Sequence, residues 1–202
     1  MRFEYLTFLI YSPRGKSDNA KRSQLLLGAC KRGQVAFSQN LAKSIIHAEI
    51  QDYFTETALI PIPRSSLTLQ NSFLPSKVIA DILIKNNLGN SVFSCLKRIK
   101  AIPKSSGQTD ASKRNNVQLH LESLAVEPVL ITERKIILID DVFTLGRTAM
   151  AAAMKINEAY PDKEIRIFSP FRTRSFQDDN ILKDIRRGYM ELSANGKVKL
   201  PD

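Results

Sequence analysis

The sequence KIILIDDVFTLGRTAMAAA, residues 135–153, decides the fold expected for this chain. Its apolar run, residues 136–139, is typical of a central parallel strand with both faces covered. Two adjacent carboxylates, Asp140 and Asp141, follow this strand, and a short loop then leads into an Ala- and Met-rich run with strong helix propensity. Because ligand sites of open α/β sheets lie beyond the carboxyl ends of strands, this order predicts an α/β domain with its site at this point.

The loop between strand and helix, residues 142–148, has the features of an anion site. Backbone N–H groups of the loop and of the helix N-terminus can face an anion, and Gly146 allows close approach. Thr144 and Thr148 add hydroxyl donors, while the carboxylates can accept hydrogen bonds from sugar hydroxyls. The stretch therefore predicts a site for a phosphorylated sugar. The alternative is an ordinary strand–loop–helix connection with a capping Thr and solvated acids.

The segment IILIDDVFTLGRT resembles the phosphoribosyl pyrophosphate (PRPP) loop of type I phosphoribosyltransferases. In that motif an apolar strand, two acids and an apolar residue precede a Thr-x-Gly-x-Thr-like loop. Leu145 stands where many members carry a second Thr, which removes one hydroxyl but keeps the backbone N–H. The resemblance implies that Asp140 and Asp141 hold the ribose hydroxyls and act in catalysis. It also implies that the 5′-phosphate is bound by five loop residues: Thr144, Leu145, Gly146, Arg147 and Thr148.

A second buried strand, TALIPI at residues 57–62, leads into a Pro-x-Pro corner followed by Arg64, Ser65 and Ser66. A stiff corner with a cation and two hydroxyls at the carboxyl end of a strand suits pyrophosphate. The alternative is a rigid turn with an exposed Arg. Type I phosphoribosyltransferases place a pyrophosphate-binding loop after the corresponding strand. The resemblance therefore makes these three side chains candidate pyrophosphate ligands.

Residues 97–116 form a basic segment that is rich in Ser and Asn. A long loop of this kind in a compact domain is usually functional, and a passive surface loop is the alternative. The resemblance implies a flexible catalytic loop at this place, which closes over the pyrophosphate. Its candidate catalytic cation is Lys104, and further cations are Arg98, Lys100 and Arg114.

The resemblance implies the type I phosphoribosyltransferase fold, a central, mostly parallel sheet flanked by helices, with a variable hood that selects the nucleophile. We interpret the chain as one domain, with residues 1–56 as the hood and residues 57–174 as the core. The basic segment at residues 14–32 is either an anion-binding arm or a solvated loop and helix. Sequence patterns predict strands at residues 3–11, 91–96, 117–121 and 164–169 and helices at residues 34–54, 75–87 and 178–187. The strand at residues 117–121 would place His120 on its polar side.

Over about residues 57–173, the order of motifs is similar to the competence-associated (ComF-type) branch and to related uncharacterised phosphoribosyltransferase-like proteins. Both have a Pro-x-Pro corner and a basic loop ahead of the acidic motif. This chain lacks the four-cysteine zinc module with which the ComF-type branch usually opens, since its cysteines are only Cys30 and Cys95. Because the chain has only two cysteines, we expect a reduced, cytoplasmic protein without a disulfide framework. No apolar run has the length of a membrane helix, and the N-terminus lacks a cleavage site, so we expect neither a membrane span nor a signal peptide.

The implied reaction transfers the 5-phosphoribosyl group of PRPP to a nitrogen nucleophile such as a nucleobase. Pyrophosphate is released, and Mg²⁺ is expected to bind through it, with Asp140 and Asp141 nearby. The net charge of +10 suits an anionic substrate but also nucleic acid. The alternative is therefore a regulator or DNA-uptake accessory protein that binds PRPP or nucleic acid without turnover. A nucleotide hydrolase is less favoured because a Gly-Lys-Ser/Thr loop is missing. A homodimer is compatible with either function.

Overall fold

The computed structural model describes residues 1–103, 115–174 and 181–200. The helices are α1 (Asp18–Lys31), α2 (Val35–His47), α3 (Pro75–Lys85), α4 (Val117–Glu122) and α5 (Arg147–Ala159), with a 3-10 turn at Gln51–Phe54. The strands are β1 (Arg2–Tyr11), β2 (Thr57–Pro61), β3 (Ser91–Val92), β4 (Leu96–Arg98), β5 (Leu124–Val126), β6 (Lys135–Ile139), β7 (Val142–Phe143), β8 (Glu164–Thr173), β9 (Lys183–Leu192) and β10 (Val198–Lys199). Within the described ranges, none of the helices has the length and apolar character that a bilayer crossing needs.

The main sheet has the strand order β10-β9-β1-β8-β6-β2-β3, and β7 extends it by pairing with β8. The neighbours from β1 to β3 are parallel, whereas β9 and β10 are antiparallel to the strands beside them. Strands β4 and β5 form a separate antiparallel pair. The predicted α/β class, with a mostly parallel central sheet flanked by helices, is confirmed in this form.

The alternating side chains of β6 explain why the sheet is covered on both faces. Ile136 and Leu138 belong to the core on one side, which α4, α5 and the β4–β5 pair cover. Ile137 and Ile139 belong to the core on the other side, which α1, α2 and α3 cover. Because successive strand residues point to opposite faces, a strand between two helical layers has to be apolar throughout. The apolar run at residues 136–139 therefore reflects its central position.

The predicted strand at residues 117–121 is wrong, because this segment forms the helix α4. Asn116 caps the helix by accepting a hydrogen bond from the Leu119 N–H at 2.8 Å. Val117 and His120 are the buried positions of the helix, three residues apart, which is a helical spacing. An alternation over five residues is too short to distinguish the two-residue period of a strand from the period of a helix. His120 is consequently buried and does not lie on a polar face.

The predicted helix at residues 178–187 is also wrong within the described part of the chain. Residues 183–192 form β9, which pairs antiparallel with β1. Charged side chains of this strand form ion pairs with neighbouring elements. Arg187, for example, pairs with Glu4 and with Asp52. Strand pairing with β1 thus overrides the local helical pattern. Two further segments divide: residues 34–54 into α2 and a 3-10 turn, and residues 91–96 into β3 and the start of β4.

Residues 1–56, which we interpret as a hood, contribute directly to the main sheet. Strand β1 lies between β8 and β9, and its neighbours α1 and α2 form part of the layer over one face. The boundary at residue 56 therefore does not separate the sheet from an outer element. Selection of a nucleophile by part of this layer stays a prediction.

Candidate functional site

The Pro-x-Pro corner and the acid pair meet because β2 and β6 are parallel neighbours. Pro61 lies opposite Ile139 in the register, and the Ile62 N–H donates to the Ile139 carbonyl at 2.9 Å. The next residue after β6, Asp140, donates its N–H to the Phe168 carbonyl of β8 at 2.9 Å. The chain thus leaves both strands at one carboxyl edge, where the two predicted motifs lie side by side.

The acid pair is electrostatically strained. The Asp141 N–H donates to Oδ1 of Asp140 at 2.9 Å, so one carboxylate sits directly against the backbone of the other. Burial, followed by the charge of Asp141, raises the pKa of Asp140 well above its ordinary value. Burial also raises the pKa of Asp141, although Lys31 and Arg64 act in the opposite direction. Hydroxyl donors or a cation from a ligand would relieve this strain.

Arg64 and Lys31 are the cations that the structure brings to the acid pair. Arg64 donates from Nη2 to the carbonyl of Lys31 at 3.0 Å, and its guanidinium lies 5.1 Å from the ring centroid of Phe73. Both cations lower the pKa of Asp141. The sequence places Lys31 within the basic segment at residues 14–32 but cannot distinguish it from the other cations there. The fold places Lys31 at the end of α1, beside the corner, and the sequence alone does not predict this position.

Ser65 and Ser66 follow Arg64 at the same edge. The Ser65 carbonyl accepts a hydrogen bond from the Ile102 N–H at 2.9 Å, so the start of the basic segment lies against the corner. Ser65 is half-buried and Ser66 is exposed. The predicted catalytic cation Lys104 lies outside the described residues, as does Arg114.

The predicted phosphate-binding loop, residues 144–148 (the phosphate loop), spans the turn between β7 and α5 and the start of α5. Gly146 adopts a φ of 65° at the N-cap of α5 and, as a glycine, supplies no side-chain cap to this helix end. The N–H groups of the first turn of α5 are the donors that an anion bound at this end would meet. Thr144 Oγ1 lies 3.1 Å from Thr173 Oγ1, and Thr148 Oγ1 lies 3.4 Å from Nε2 of His120. Both predicted hydroxyl donors thus border other side chains.

The glycine of this loop also packs against the C-terminal hairpin, residues 183–200. A Cβ on Gly146 would lie 2.8 Å from Cδ1 of Leu200 and 3.4 Å from Cγ1 of Val198. Because a side chain at position 146 would come too close to this hairpin, packing requires glycine there, independently of a ligand. The sequence predicts only the approach of phosphate and misses this contact, because residue 200 is distant in the chain and carries no motif.

The other two loop residues are partly buried. Arg147 donates from Nη1 to the carbonyl of Asn115 at 3.2 Å, which turns its side chain toward the end of the basic segment. Leu145 is half-buried. The five predicted phosphate ligands are therefore contiguous around the start of α5, and their binding role stays a prediction.

His120 and Arg98 form a buried polar cluster behind the site. Burial, and then the charges of Arg98 and Arg147, lower the pKa of His120 to about 4, so the imidazole is neutral at neutral pH. Arg98 is only 1% exposed. The sequence assigns Arg98 to a mobile loop that faces the pyrophosphate. This assignment is wrong, because the residue ends β4 and is enclosed.

A magnesium site built by protein ligands alone is not found among residues 1–103, 115–174 and 181–200, which contain no cluster of three or more metal-ligating side chains. The edge offers two adjacent carboxylates with raised pKa values. Mg²⁺ prefers oxygen ligands and commonly combines one or two carboxylates with substrate phosphates and water. Asp140 and Asp141 fit that mode of binding.

Comparisons with known proteins do not identify a family for this chain: neither a scan against protein-family models nor a search among curated proteins gave a match. The function therefore has to be inferred from the geometry of the site. That geometry joins a stiff cationic corner, a buried acid pair with raised pKa values and a helix N-terminus with glycine at its N-cap.

We expect Asp140→Asn to raise the thermal stability of the free protein. Because the pKa of Asp140 is raised in the folded state, its contribution to stability is greatest below the unfolded pKa and is lost as pH rises through the folded pKa. Asn keeps the oxygen that accepts the Asp141 N–H but removes the charge. The Tm should rise by about 3 °C or more at pH 7, since about 1 kcal/mol shifts the Tm of a chain this size by 2–4 °C.

Thermal unfolding as a function of pH checks this prediction. The difference between variant and wild type should shrink as the pH falls through the folded-state pKa, and it should be smallest below about 4, where the carboxyl becomes protonated in the unfolded state as well. Asp162→Asn is the matched control, because Asp162 is exposed and its ion pair with Lys163 has a distance of 3.7 Å. A Tm for Asp140→Asn that is at or below the wild-type value at pH 7 would show that the charge of Asp140 does not destabilise the free protein.

Proposed function

We propose that this protein is a PRPP-dependent phosphoribosyltransferase with a type I phosphoribosyltransferase fold. In this proposal the 5-phosphoribosyl group passes to a nitrogen nucleophile such as a nucleobase, and pyrophosphate leaves. The phosphate loop at residues 144–148 takes the 5′-phosphate, the acid pair takes the ribose hydroxyls, and the corner takes the pyrophosphate. A cytoplasmic location and a homodimer belong to the same proposal.

The proposal rests mainly on one observation: the corner and the acid pair follow neighbouring parallel strands and lie close together. Arg64 follows β2 and Asp141 follows β6, yet the cation lies close enough to lower the pKa of the carboxyl. PRPP carries anionic groups at both ends of a ring with hydroxyls. A site with donors at either end and carboxylates in the middle matches that distribution of charge. A capping loop with two solvated acids would need no such arrangement.

The arrangement also suits the chemistry of the transfer. As the bond from ribose C1 to pyrophosphate breaks, negative charge grows on the leaving group and the sugar becomes oxocarbenium-like. In this proposal Arg64 stabilises the leaving group, and Asp140 and Asp141 stabilise the sugar. The influence of Arg64 on the pKa of Asp141 supports a cation and carboxylates in one site. Mg²⁺ supplies Lewis-acid neutralisation of pyrophosphate charge when bound. Preorganised electrostatics of this kind need no covalent intermediate on the protein.

PRPP with Mg²⁺ should raise the Tm of the protein, because a ligand that binds only the folded state stabilises it. At a concentration 100 times its Kd the gain is about 2.7 kcal/mol, which corresponds to a rise of roughly 5–10 °C. A panel of nucleobases should then be screened for PRPP-dependent release of pyrophosphate. Ribose 5-phosphate and inorganic pyrophosphate serve as ligand controls for the two halves of PRPP.

The outcome of this screen separates the candidate functions. Binding with turnover supports the transferase. Binding of PRPP without turnover by any base favours the regulatory alternative on the same site. The basic net charge of +10 is the observation that keeps nucleic acid as a partner of such a regulator, and a salt-dependent affinity for single-stranded DNA would reveal it. If PRPP gives no thermal shift, both PRPP-based functions fail.

A further inference from the structure

Arg98 is a buried cation that forms no ion pair with a carboxylate in hydrogen-bonding contact within the described ranges. Its side chain is 1% exposed, and none of its hydrogen bonds within those ranges goes to a carboxylate. Nη2 has no hydrogen-bond partner there. Burial lowers the pKa of Arg98 to about 10, while the charge of Asp140 acts in the opposite direction, so the guanidinium is charged at neutral pH. A buried charge of this kind is costly and calls for a function.

Arg98 fixes the pyrophosphate corner through its backbone and its side chain. Its Nε donates to the carbonyl of Arg64 at 3.0 Å. Its own N–H donates to Oγ1 of Thr68 at 2.9 Å, and its carbonyl accepts from the N–H of Thr68 at 2.8 Å. The segment after the corner is therefore joined to the end of β4 at both its first and its last residue.

The other side of the guanidinium is anchored to α4. Nη1 donates to Oγ of Ser123 and to the carbonyl of His120, the latter at 3.4 Å. Because α4 belongs to the core on one face of the sheet, Arg98 connects a rigid element to the carbonyl of Arg64. The carbonyl that it holds belongs to Arg64, whose positive charge lowers the pKa of Asp141.

We propose that Arg98 is a positioning residue for the pyrophosphate half of the site: by holding the Arg64 carbonyl against α4, it orients the corner and places a fixed positive charge behind it. The inference rests on the proposed function, since it assumes that the corner binds pyrophosphate. Arg98 does not touch the ligand, because its guanidinium is enclosed. The effect of removing it should therefore be larger on pyrophosphate binding, through the direct bond to Arg64, than on residues 144–148, which Arg98 reaches through His120.

The test compares two probes in separate titrations, inorganic pyrophosphate with Mg²⁺ and ribose 5-phosphate. Arg98→Met keeps much of the side-chain volume but removes the charge and the Nε donor. We expect it to weaken pyrophosphate binding by tenfold or more, because a lost hydrogen bond to a charged group typically costs that much. Ribose 5-phosphate affinity should change less than threefold. Arg98→Lys keeps the charge without the Nε–Arg64 bond and should give an intermediate loss.

A second pair of variants guards against failure of Arg98→Met to fold. Thr68→Val removes the oxygen that accepts the Arg98 N–H but leaves the guanidinium in place. It should weaken pyrophosphate binding about threefold or more, whereas Thr68→Ser keeps the hydroxyl and should restore wild-type affinity. Thr68 is half-buried in the segment after the corner, so the exchange is milder than one at Arg98.

The outcomes are distinguishable. A selective loss of pyrophosphate affinity supports the positioning role. An equal loss for both probes, or no loss in Arg98→Met and Thr68→Val, overturns it while the proposed function stands. If Arg98→Met does not fold, an unchanged pyrophosphate affinity in Thr68→Val alone overturns it. If wild-type protein binds neither probe nor PRPP, the proposed function fails and the positioning role fails with it.

Discussion

Replacing Asp140 and Asp141 together by Asn should lower the rate of phosphoribosyl transfer by about 10²–10³-fold, the usual cost of removing a preorganised electrostatic group. PRPP affinity should fall much less. The 5′-phosphate and the pyrophosphate are anions and gain nothing from the carboxylates, whereas the positive ring of the transition state does. A loss confined to the transition state lowers kcat, while a loss of uniform binding raises KM.

Steady-state kinetics with PRPP as the varied substrate, together with a thermal-shift titration, measure both effects. Asp162→Asn again serves as the control for removal of an exposed carboxylate. The double variant should fold at least as well as the wild type, since the acid pair is strained in the free protein. Equal losses in kcat and affinity would contradict a role in stabilising the sugar. A protein that binds PRPP but shows no turnover, and whose double variant only binds more weakly, would be a regulator.

Gly146→Val should destabilise the protein by about 3 kcal/mol or more and abolish the PRPP-induced rise in Tm. A β-branched residue at a φ of 65° is strained by about 1–3 kcal/mol, and contact with Leu200 adds an overpacking cost of about 1–3 kcal/mol. The Tm should fall by roughly 6–12 °C. Because the same change disturbs the N–H groups at the start of α5, the phosphate loop loses its shape.

Two controls separate the causes of this destabilisation. Gly196→Val meets nothing within 4 Å and has a φ of 74°, so it reports the backbone strain alone. Leu200→Ala in the Gly146→Val background makes room and should recover part of the lost stability. Equal destabilisation by valine at positions 146 and 196 would contradict the packing of the hairpin on the loop. A wild-type PRPP shift in Gly146→Val would place the phosphate elsewhere.

Periodicity was sufficient to predict the central elements of the fold. Strands β2 and β6 are apolar throughout because both faces are covered, and α3 and α5 show regular helical patterns. The pattern failed where pairing partners decide the structure. Strand β9 carries alternating and clustered charges that resemble a polar helix, and its ion pairs with Glu4 and Asp52 form only once the strand lies beside β1.

The candidate site was predictable where its residues follow strands directly, as Asp140, Asp141 and Arg64 do. Parallel strands end at a common edge, so chain order alone places such residues together. The contacts of Lys31, Arg98 and Leu200 could not be predicted from the sequence, because they depend on helix and strand ends far away in sequence. The environment of Lys104 lies outside the described residues, so its catalytic role stays a prediction.

Because β1 lies between β8 and β9, it cannot complete its strand pairing until these later strands have been synthesised. Its partners in the register follow roughly 160 to 190 residues later, and contacts between residues so far apart in sequence favour slow folding. Until they leave the ribosome, apolar side chains such as Leu6 and Phe8 have no sheet to join. A chain cut before residue 164 would expose this strand as an open edge and should aggregate.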